Sequence, residues 1–208
     1  MTRKERATAC LHRLRAHYPD AKCSLDYSSP FELLIATILS AQTTDIRVNK
    51  VTRTLFREYP HPHNYTPEAQ ARIEEIIRPI GCYKTKAARI IETAQRIVDS
   101  YSGRVPVDMQ ELVSLPGVGR KTANVVLSNA FNIPGFAVDT HVKRVSRRLG
   151  LTRNTDPQAV EQDLCALVEP DCWAMLSHLF IYHGRAVCKA RSPQCSGCVL
   201  EDICMQRL

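Results

Sequence analysis

Four cysteines near the end of the chain have the spacing of a metal site. They follow the pattern C-x6-C-x2-C-x5-C and are Cys188, Cys195, Cys198 and Cys204. Four thiolates this close in sequence can hold a tetrahedral zinc ion or an iron–sulfur cluster. Zinc sites usually pair their ligands in two short C-x2-4-C units, whereas only one short pair is present here. The spacing therefore favours a 4Fe–4S cluster; zinc, two disulfides or four unrelated thiols are the alternatives.

A glycine-rich turn in the middle of the chain predicts a phosphate-binding site. Residues 115–123 are L-P-G-V-G-R-K-T-A. Gly117 and Gly119 permit backbone angles barred to other residues and let the main chain approach a ligand closely. The turn leads into a helix N-terminus, whose free N–H groups and dipole attract phosphate. With Arg120 and Lys121 directly behind it, the turn resembles a helix-hairpin-helix element, which binds DNA backbone without reading bases. The candidate contacts are Gly117, Val118, Gly119 and Arg120.

Helical periodicity and capping residues recur along the whole chain, so we expect an all-α fold. The clearest helix start is S-P-F-E at residues 29–32, a capping box with proline at the first helical position. Apolar residues cover nearly every side of this helix, which is therefore expected to be buried. The last long helix begins near Trp173 and is expected to end at Gly184. Asp45 is expected to open a further helix, and three more helix starts are marked by Asp108, Asp139 and Asp156.

Composition and charge indicate a partner that is a polyanion. The chain has 208 residues, with 28 Lys and Arg against 21 Asp and Glu, a net charge of +7 and a pI near 9.0. The longest apolar stretch, residues 31–41, is too short to span a bilayer and contains Glu32, and the charged start predicts no signal peptide. Nine cysteines, an odd number, favour reduced thiols in a cytoplasmic protein.

Together these motifs resemble the endonuclease III family of helix-hairpin-helix DNA glycosylases. The matching segments are S-S-P-F-E-L-L at 28–34, L-S-A-Q-T-T-D at 39–45, the hairpin at 115–126, V-D-T-H-V at 138–142 and the four cysteines. The resemblance runs from about Ser24 to Cys204. It implies two helical domains with a cleft between them. A six-helix domain with the hairpin is expected at 22–131, and a discontinuous cluster domain at 1–21 and 132–208.

The resemblance also implies a bifunctional DNA glycosylase and abasic-site lyase of base excision repair, which removes oxidised pyrimidines. The nucleophilic lysine of the family falls on Lys121 and the assisting aspartate on Asp139. A lysine attacks C1′ only as a neutral amine, and we expect desolvation, the helix N-terminus and Arg120 to depress its pKa. Asp139 can stabilise positive charge on the sugar and accept a proton. Considered alone, Lys121 would be a solvated phosphate contact and Asp139 a helix N-cap.

Chemistry on a base requires the nucleotide to leave the stack, and the family fills the gap with side chains. The inserted glutamine falls on Gln42. The wedge, usually a leucine, falls on Cys82, which departs from the family's pattern and is otherwise an ordinary loop thiol. The resemblance further implies phosphate contacts by Lys189 and Arg191 and places His141 at the active site. The implied partner is double-stranded DNA with damaged pyrimidines or abasic sites, bound by a nucleoid-associated monomer.

Other functions remain possible on these motifs. A relative that acts on pyrimidine dimers or on mismatches would share them. An adenine-specific relative is disfavoured because it lacks the lysine. A non-catalytic DNA-binding or redox protein could keep the hairpin and the cluster, but the presence of both Lys121 and Asp139 argues against it.

Overall fold

The computed structural model describes residues 1–205, which are helical and contain no β-strand. This confirms the all-α prediction. No helix in the described part of the chain has the length and apolar character needed to cross a membrane. The α-helices are α1 (Arg3–His17), α2 (Pro30–Leu39), α3 (Asp45–Glu58), α4 (Gln70–Ile77), α5 (Tyr83–Tyr101), α6 (Met109–Ser114), α7 (Arg120–Ala130), α8 (Thr140–Arg148), α9 (Pro157–Cys165) and α10 (Trp173–Ala186). Short 3-10 turns lie at Pro62–Asn64, Pro67–Ala69, Arg78–Ile80, Pro170–Cys172 and Glu201–Ile203.

The chain divides into two compact units. Ser24–Ile133 forms the first, here called the hairpin unit, and it contains α2 to α7. Met1–Cys23 and Pro134–Leu208 form the second, the cysteine unit, which contains α1 and α8 to α10.

The hairpin unit is built around α2, which packs against α3, α5 and α7. Residues 33–39 of this helix are all buried, as the apolar pattern predicted. Ser29 caps the helix, since its Oγ accepts a hydrogen bond from the Glu32 amide at 3.2 Å. The Glu32 carboxylate, however, accepts from the amide and the hydroxyl of Ser28, at 2.6 and 2.7 Å. The predicted capping box is therefore only partly formed, because the Glu32 side chain binds Ser28 and not the N-cap residue Ser29.

The cysteine unit has its own core, to which α1, α8, α9 and α10 contribute. Helix α10 does not end at Gly184, as the sequence suggested, but continues to Ala186. A Cβ on Gly184 would lie 3.0 Å from Cβ and 3.1 Å from Nδ1 of His141, which is on α8. The glycine therefore permits the close approach of α8 and α10 and does not stop the helix.

Candidate functional site

The hairpin between α6 and α7 is held in place by contacts with α5, within the hairpin unit. Gly117 has φ +75°, a left-handed conformation that side chains disfavour. A Cβ there would also lie 3.3 Å from Cδ of Arg89. Thr93 Oγ1, on α5, donates a hydrogen bond to the Pro116 carbonyl oxygen at 2.6 Å. These contacts hold the turn in one conformation.

The exposed side of the hairpin is main chain at the start of α7. Gly119 caps α7 with φ −97°, an extended conformation that any residue adopts, so the wider range of angles that glycine permits is not used here. No atom lies within 4 Å of a Cβ placed there, so the space beside its main chain is open. Val118, by contrast, is buried, and its amide donates to the Leu115 carbonyl oxygen at 3.1 Å. Because the N-cap is a glycine, it supplies no side-chain hydrogen bond to the amides of the first turn of α7.

The two candidate catalytic residues lie at helix starts, one in each unit. Lys121 is in the first turn of α7 and is exposed, which differs from the desolvated setting expected from the sequence. Asp139 is half-buried, and its Oδ1 accepts from the Val142 amide at 2.8 Å as the N-cap of α8. This hydrogen bond holds one carboxylate oxygen in place and leaves the other oxygen without a capping role.

Gln42 and Cys82 come from separate loops that meet around one cavity of the hairpin unit. Both side chains are exposed, and both residues have left-handed backbones, with φ of +53° and +46°. The cavity is also lined by Lys86 and Arg89 on α5 and by Gly117 of the hairpin. A left-handed conformation is uncommon for residues other than glycine and is found at functional sites. The fold thus brings three sequence-predicted positions to one place.

Lys86 is a residue of this site that sequence reasoning missed. Its side chain is buried beneath the two loops, where burial lowers its pKa. Its Nζ donates to Thr43 Oγ1 at 2.8 Å and to the Ile80 carbonyl oxygen at 3.3 Å. The only signal in the sequence was a lysine on the apolar side of an amphipathic helix.

The four C-terminal cysteines line one cavity of the cysteine unit. Apolar side chains of α8 and of the chain near the cysteines complete it, among them Val145, Leu149 and Leu200. None of the cysteines within residues 1–205 is joined to another by a disulfide bond, so the structure gives no support to the two-disulfide alternative. Such a lining excludes water from the sulfurs on one side.

Three groups lie within hydrogen-bonding distance of the sulfur atoms, two as donors and the third, His183, in a role set by its tautomer. The Leu200 amide lies 3.5 Å from Cys198 Sγ, and Arg148 Nη1 lies 3.4 Å from Cys188 Sγ. His183 Nε2 lies 3.5 Å from Cys198 Sγ. Burial, with a smaller effect of His17, lowers the pKa of His183 to about 4, so its ring is neutral at pH 7.

The His183 ring is oriented by Tyr18, whose hydroxyl lies 3.3 Å from Nδ1. With that hydroxyl as donor, Nε2 carries the proton and donates to Cys198. Donors of this kind stabilise the negative charge of metal-bound thiolates. The spacing of His183 does not connect it with the cysteines, so the sequence alone predicts an ordinary residue at this position.

The arrangement of the thiols fits a cluster better than a single ion. Within residues 1–205, no three His, Cys, Asp or Glu side chains are placed to hold one metal ion. A tetrahedral zinc ion needs four ligands converging on one point. A 4Fe–4S cluster takes one thiolate at each of its irons, so its four ligands are spread around a larger body. Four cysteines that line one apolar cavity without disulfide bonds, with hydrogen-bonding groups beside their sulfurs, suit the latter.

Two arginines of α8 bind main-chain carbonyl oxygens from the end of α10 to the loop that follows Cys188. Arg144 donates from Nε to the Cys188 carbonyl oxygen at 3.0 Å and from Nη2 to that of Gly184 at 2.8 Å. Arg148 donates to the carbonyl oxygens of residues 189 and 190, at 2.7 and 3.2 Å. The loop therefore has a fixed course although its own side chains point outward.

The remaining predicted contacts belong to this region of the cysteine unit. Lys189 and Arg191 are exposed on the loop. His141 is half-buried, with Nδ1 3.2 Å from Arg144 Nη2. The structure thus places all three near α8 and the loop.

Comparison with known proteins agrees with this geometry. The sequence model of the family "HhH-GPD superfamily base excision DNA repair protein" matches residues 35–170. That of "Iron-sulfur binding domain of endonuclease III" matches residues 188–204. Endonuclease III of Synechocystis sp. is 52% identical over 204 residues, which are 98% of this chain and 93% of that protein.

Solved structures show the same relationship. A trapped endonuclease III–DNA covalent intermediate superposes with a TM-score of 0.92 and 47% identity, over 99% of this chain and 97% of that one. A thermostable thymine-DNA glycosylase superposes with a TM-score of 0.86 and 25% identity, over 98% and 95% of the two chains.

The fold and the site define a helix-hairpin-helix protein of base excision DNA repair. Within that superfamily, the chain belongs to the endonuclease III family. It is a DNA glycosylase and abasic-site lyase, it binds DNA, and it carries a 4Fe–4S cluster.

Proposed function

We propose that this enzyme removes oxidised pyrimidines from double-stranded DNA and cleaves abasic sites through an imine formed by Lys121. The observation that carries the proposal is Lys121 itself, exposed in the first turn of α7 directly after the phosphate-binding hairpin. A phosphate held by the α7 amides would bring the adjoining sugar within reach of this amine. The likeness to a trapped covalent endonuclease III–DNA intermediate supports the same chemistry.

The reaction follows from amine chemistry at the sugar. The neutral Nζ of Lys121 attacks C1′, the bond from C1′ to the base breaks, and the base leaves with a proton. Opening of the sugar ring gives an imine between Nζ and C1′. The imine acidifies the 2′ hydrogen, and loss of that proton with departure of the 3′ phosphate breaks the strand. Exclusion of water by bound DNA would supply the desolvation that the exposed Lys121 lacks in the free chain.

Asp139 is proposed to assist at two points. Base departure develops positive charge on the sugar, which a carboxylate stabilises. The same carboxylate can accept a proton from the attacking amine. The hydrogen bond from the Val142 amide to Oδ1 supports this role because it fixes the side chain without neutralising it.

Other parts of the molecule are proposed to hold the distorted DNA. Gly117, Gly119 and Arg120 would contact the backbone, with Val118 supporting the turn from within. Gln42 and Cys82 would fill the space that the flipped nucleotide leaves. Lys189, Arg191 and His141 would bind phosphates or border the site, as their positions near α8 and the loop allow.

Cys188, Cys195, Cys198 and Cys204 are proposed as the ligands of the cluster. When bound, a cluster supplies a rigid cross-link between four points of the chain. The loop of residues 189–191 would then be held at both ends by iron-bound cysteines and along its length by Arg148. We assign the hairpin unit and the cysteine unit to the two functional domains proposed at 22–131 and at 1–21 with 132–208.

The proposal also covers the range of lesions, the oligomeric state and the location in the cell. The likeness to a thymine-DNA glycosylase at 25% identity makes mismatched thymine the second candidate substrate, with pyrimidine dimers as a further one. We propose a monomer, since the large exposed hydrophobic side chains within residues 1–205 are few and scattered along the sequence. A basic protein that binds DNA would be associated with the nucleoid in the cytoplasm.

Borohydride trapping tests the imine directly. Borohydride should link the wild-type, cluster-containing protein covalently to abasic duplex, and Lys121→Gln should abolish the link while retaining DNA affinity. Lys50→Gln, an exposed lysine on α3 of the same unit, serves as the matched control and should be trapped normally. An undiminished adduct with Lys121→Gln would refute the assignment.

A panel of single lesions tests the substrate. Duplexes with thymine glycol, a G·T mismatch or a pyrimidine dimer should be compared under single-turnover conditions. Thymine glycol should be excised fastest. Faster excision of mismatched thymine or of the dimer would replace the proposed substrate with that one.

A further inference from the structure

A strongly basic cavity lies on the cysteine unit. Its lining contains none of the residues proposed above as DNA contacts. One cavity is lined by five cationic side chains: Lys143, Arg144, Arg147, Arg148 and Arg153. Two threonines complete the lining, Thr140 at the start of α8 and the buried Thr152 beyond its end. No carboxylate, amide or aromatic side chain is among these residues.

The sequence builds this cavity from one helix face and a returning segment. Positions 140, 143, 144, 147 and 148 of α8 recur at intervals of three and four, so they share a face. The chain then turns back after Gly150, which has φ +69°, and brings residues 152 and 153 beside that face. The Leu151 amide donates to the Ser146 carbonyl oxygen at 2.9 Å and fixes the turn.

The positive charge of the cavity is not neutralised within the described part of the chain. Arg144 and Arg148 bind carbonyl oxygens, the Cys188 sulfur and the His141 ring, and neither binds a carboxylate within residues 1–205. Lys143, Arg147 and Arg153 form no ion pair with any residue of 1–205. The nearby Asp163 carboxylate is outside the lining and accepts hydrogen bonds from Thr152 and Asn154. Like charges gathered in this way repel one another, and a bound polyanion relieves the repulsion.

We propose that this cavity binds backbone phosphates of the DNA that flank the damaged nucleotide. The proposal deepens the proposed glycosylase function and rests on it. Thr140 follows Asp139 directly, so the cavity begins beside the proposed catalytic carboxylate. Helix α8 is nine residues long, or about 13 Å, against about 3.4 Å of duplex axis for each phosphate of one strand. The face can therefore serve more than one phosphate, and arginine and lysine without base-reading groups suit backbone contact.

The salt dependence of DNA binding tests this site. Lys143→Gln and Arg147→Gln, in the full cluster-containing protein, should each lower the slope of log affinity against log salt by about 0.9. The ratio of affinities at 50 and 200 mM salt should then fall about 3.5-fold for each variant. Intact duplex and duplex with an abasic-site analogue should show the same change. Lys4→Gln, an exposed lysine on α1 of the same unit, is the matched control and should keep the wild-type slope.

The outcomes separate this inference from the proposed function. If both variants have a normal circular dichroism spectrum and keep the wild-type salt slope, the proposed phosphate site is wrong. Inorganic phosphate at matched ionic strength distinguishes a second outcome. If it raises the melting temperature of the wild type but not of the variants, while the salt slope of DNA binding stays unchanged, the cavity holds free phosphate and the proposal is wrong. Borohydride trapping of the wild type on abasic duplex reports separately on the chemistry, because the covalent link depends on Lys121 and not on the salt slope.

Discussion

Lys86 Nζ donates a hydrogen bond to Thr43 Oγ1 at 2.8 Å, and so joins α5 to the loop that carries Gln42. Thr43 Oγ1 in turn donates to the Ile80 carbonyl oxygen at 2.9 Å, next to the loop that carries Cys82. A buried ammonium is stable only when its donors are satisfied. The two loops proposed to enter the duplex are thus connected through a single buried cation.

Replacement of the Thr43 hydroxyl should weaken this connection. Thr43→Val leaves Lys86 with the longer contact to Ile80 as its remaining hydrogen bond in the structure. We expect the free energy of unfolding to fall by about 1–3 kcal/mol, the range for a buried donor left unsatisfied. Urea unfolding would measure the change. Thr44→Val is the matched control, since Thr44 is exposed and its side chain makes no capping hydrogen bond. Equal stability of the two variants would contradict the expectation.

The two roles of Asp139 can be separated by substitution. Asparagine caps helices about as well as aspartate, so Asp139→Asn should keep the stability of α8 while slowing base release by several orders of magnitude. Asp139→Ala should show the same loss of rate and a further cost of about 1 kcal/mol in unfolding free energy. Single-turnover excision and thermal unfolding would measure both effects.

A control for this experiment exists on the next helix. Asp156 caps α9, with its Oδ1 accepting from the Ala159 amide at 2.9 Å. Asp156→Asn should leave excision unchanged. Wild-type excision rates in Asp139→Asn would remove Asp139 from the mechanism.

Loss of a cluster ligand should affect one unit of the protein. Wild-type protein purified without oxygen damage should be brown and contain about four iron and four sulfide ions per chain. Cys198→Ser should lose them and should lose hydrogen-exchange protection in the cysteine unit, with the hairpin unit unchanged, because metal binding is coupled to local folding. Cys172→Ser, at another half-buried cysteine, should keep its iron. One zinc and no iron in the wild type would overturn the assignment.

The small side chain at position 82 should make duplex opening depend on Gln42. A cysteine offers less apolar contact than a leucine by about two methylene equivalents, or about 1–2 kcal/mol if fully desolvated. Gln42→Ala should therefore reduce excision from paired duplex far more than scission at an abasic site.

Cys82→Leu should partly rescue this defect, and the backbone already bears the left-handed conformation that the leucine would adopt. Single-turnover excision for the four combinations gives a double-mutant cycle. Strict additivity, with Cys82→Leu silent in both backgrounds, would show that Cys82 is not the wedge.

The sequence by itself determined the helices and the candidate chemistry. Aspartate caps at 108, 139 and 156 start helices as predicted, because capping depends on a residue and the amides two or three positions later. The spacing of the four cysteines and the L-P-G-V-G-R-K turn are equally local, so both could be recognised without a structure. Gly184 shows the limit of local signals, since the same residue can end a helix or permit close packing.

Only the tertiary structure decided which distant groups support these residues. Lys86 reaches a loop 43 positions away, and Arg144 and Arg148 reach carbonyl oxygens 40 or more positions away. Such partners follow from the packing of α5 and α8 against other parts of their units. A hydrogen bond to a main-chain carbonyl oxygen can be made with any residue type, so it leaves no pattern in the sequence. The five cations near α8 were visible one by one, but only folding gathered them into one cavity.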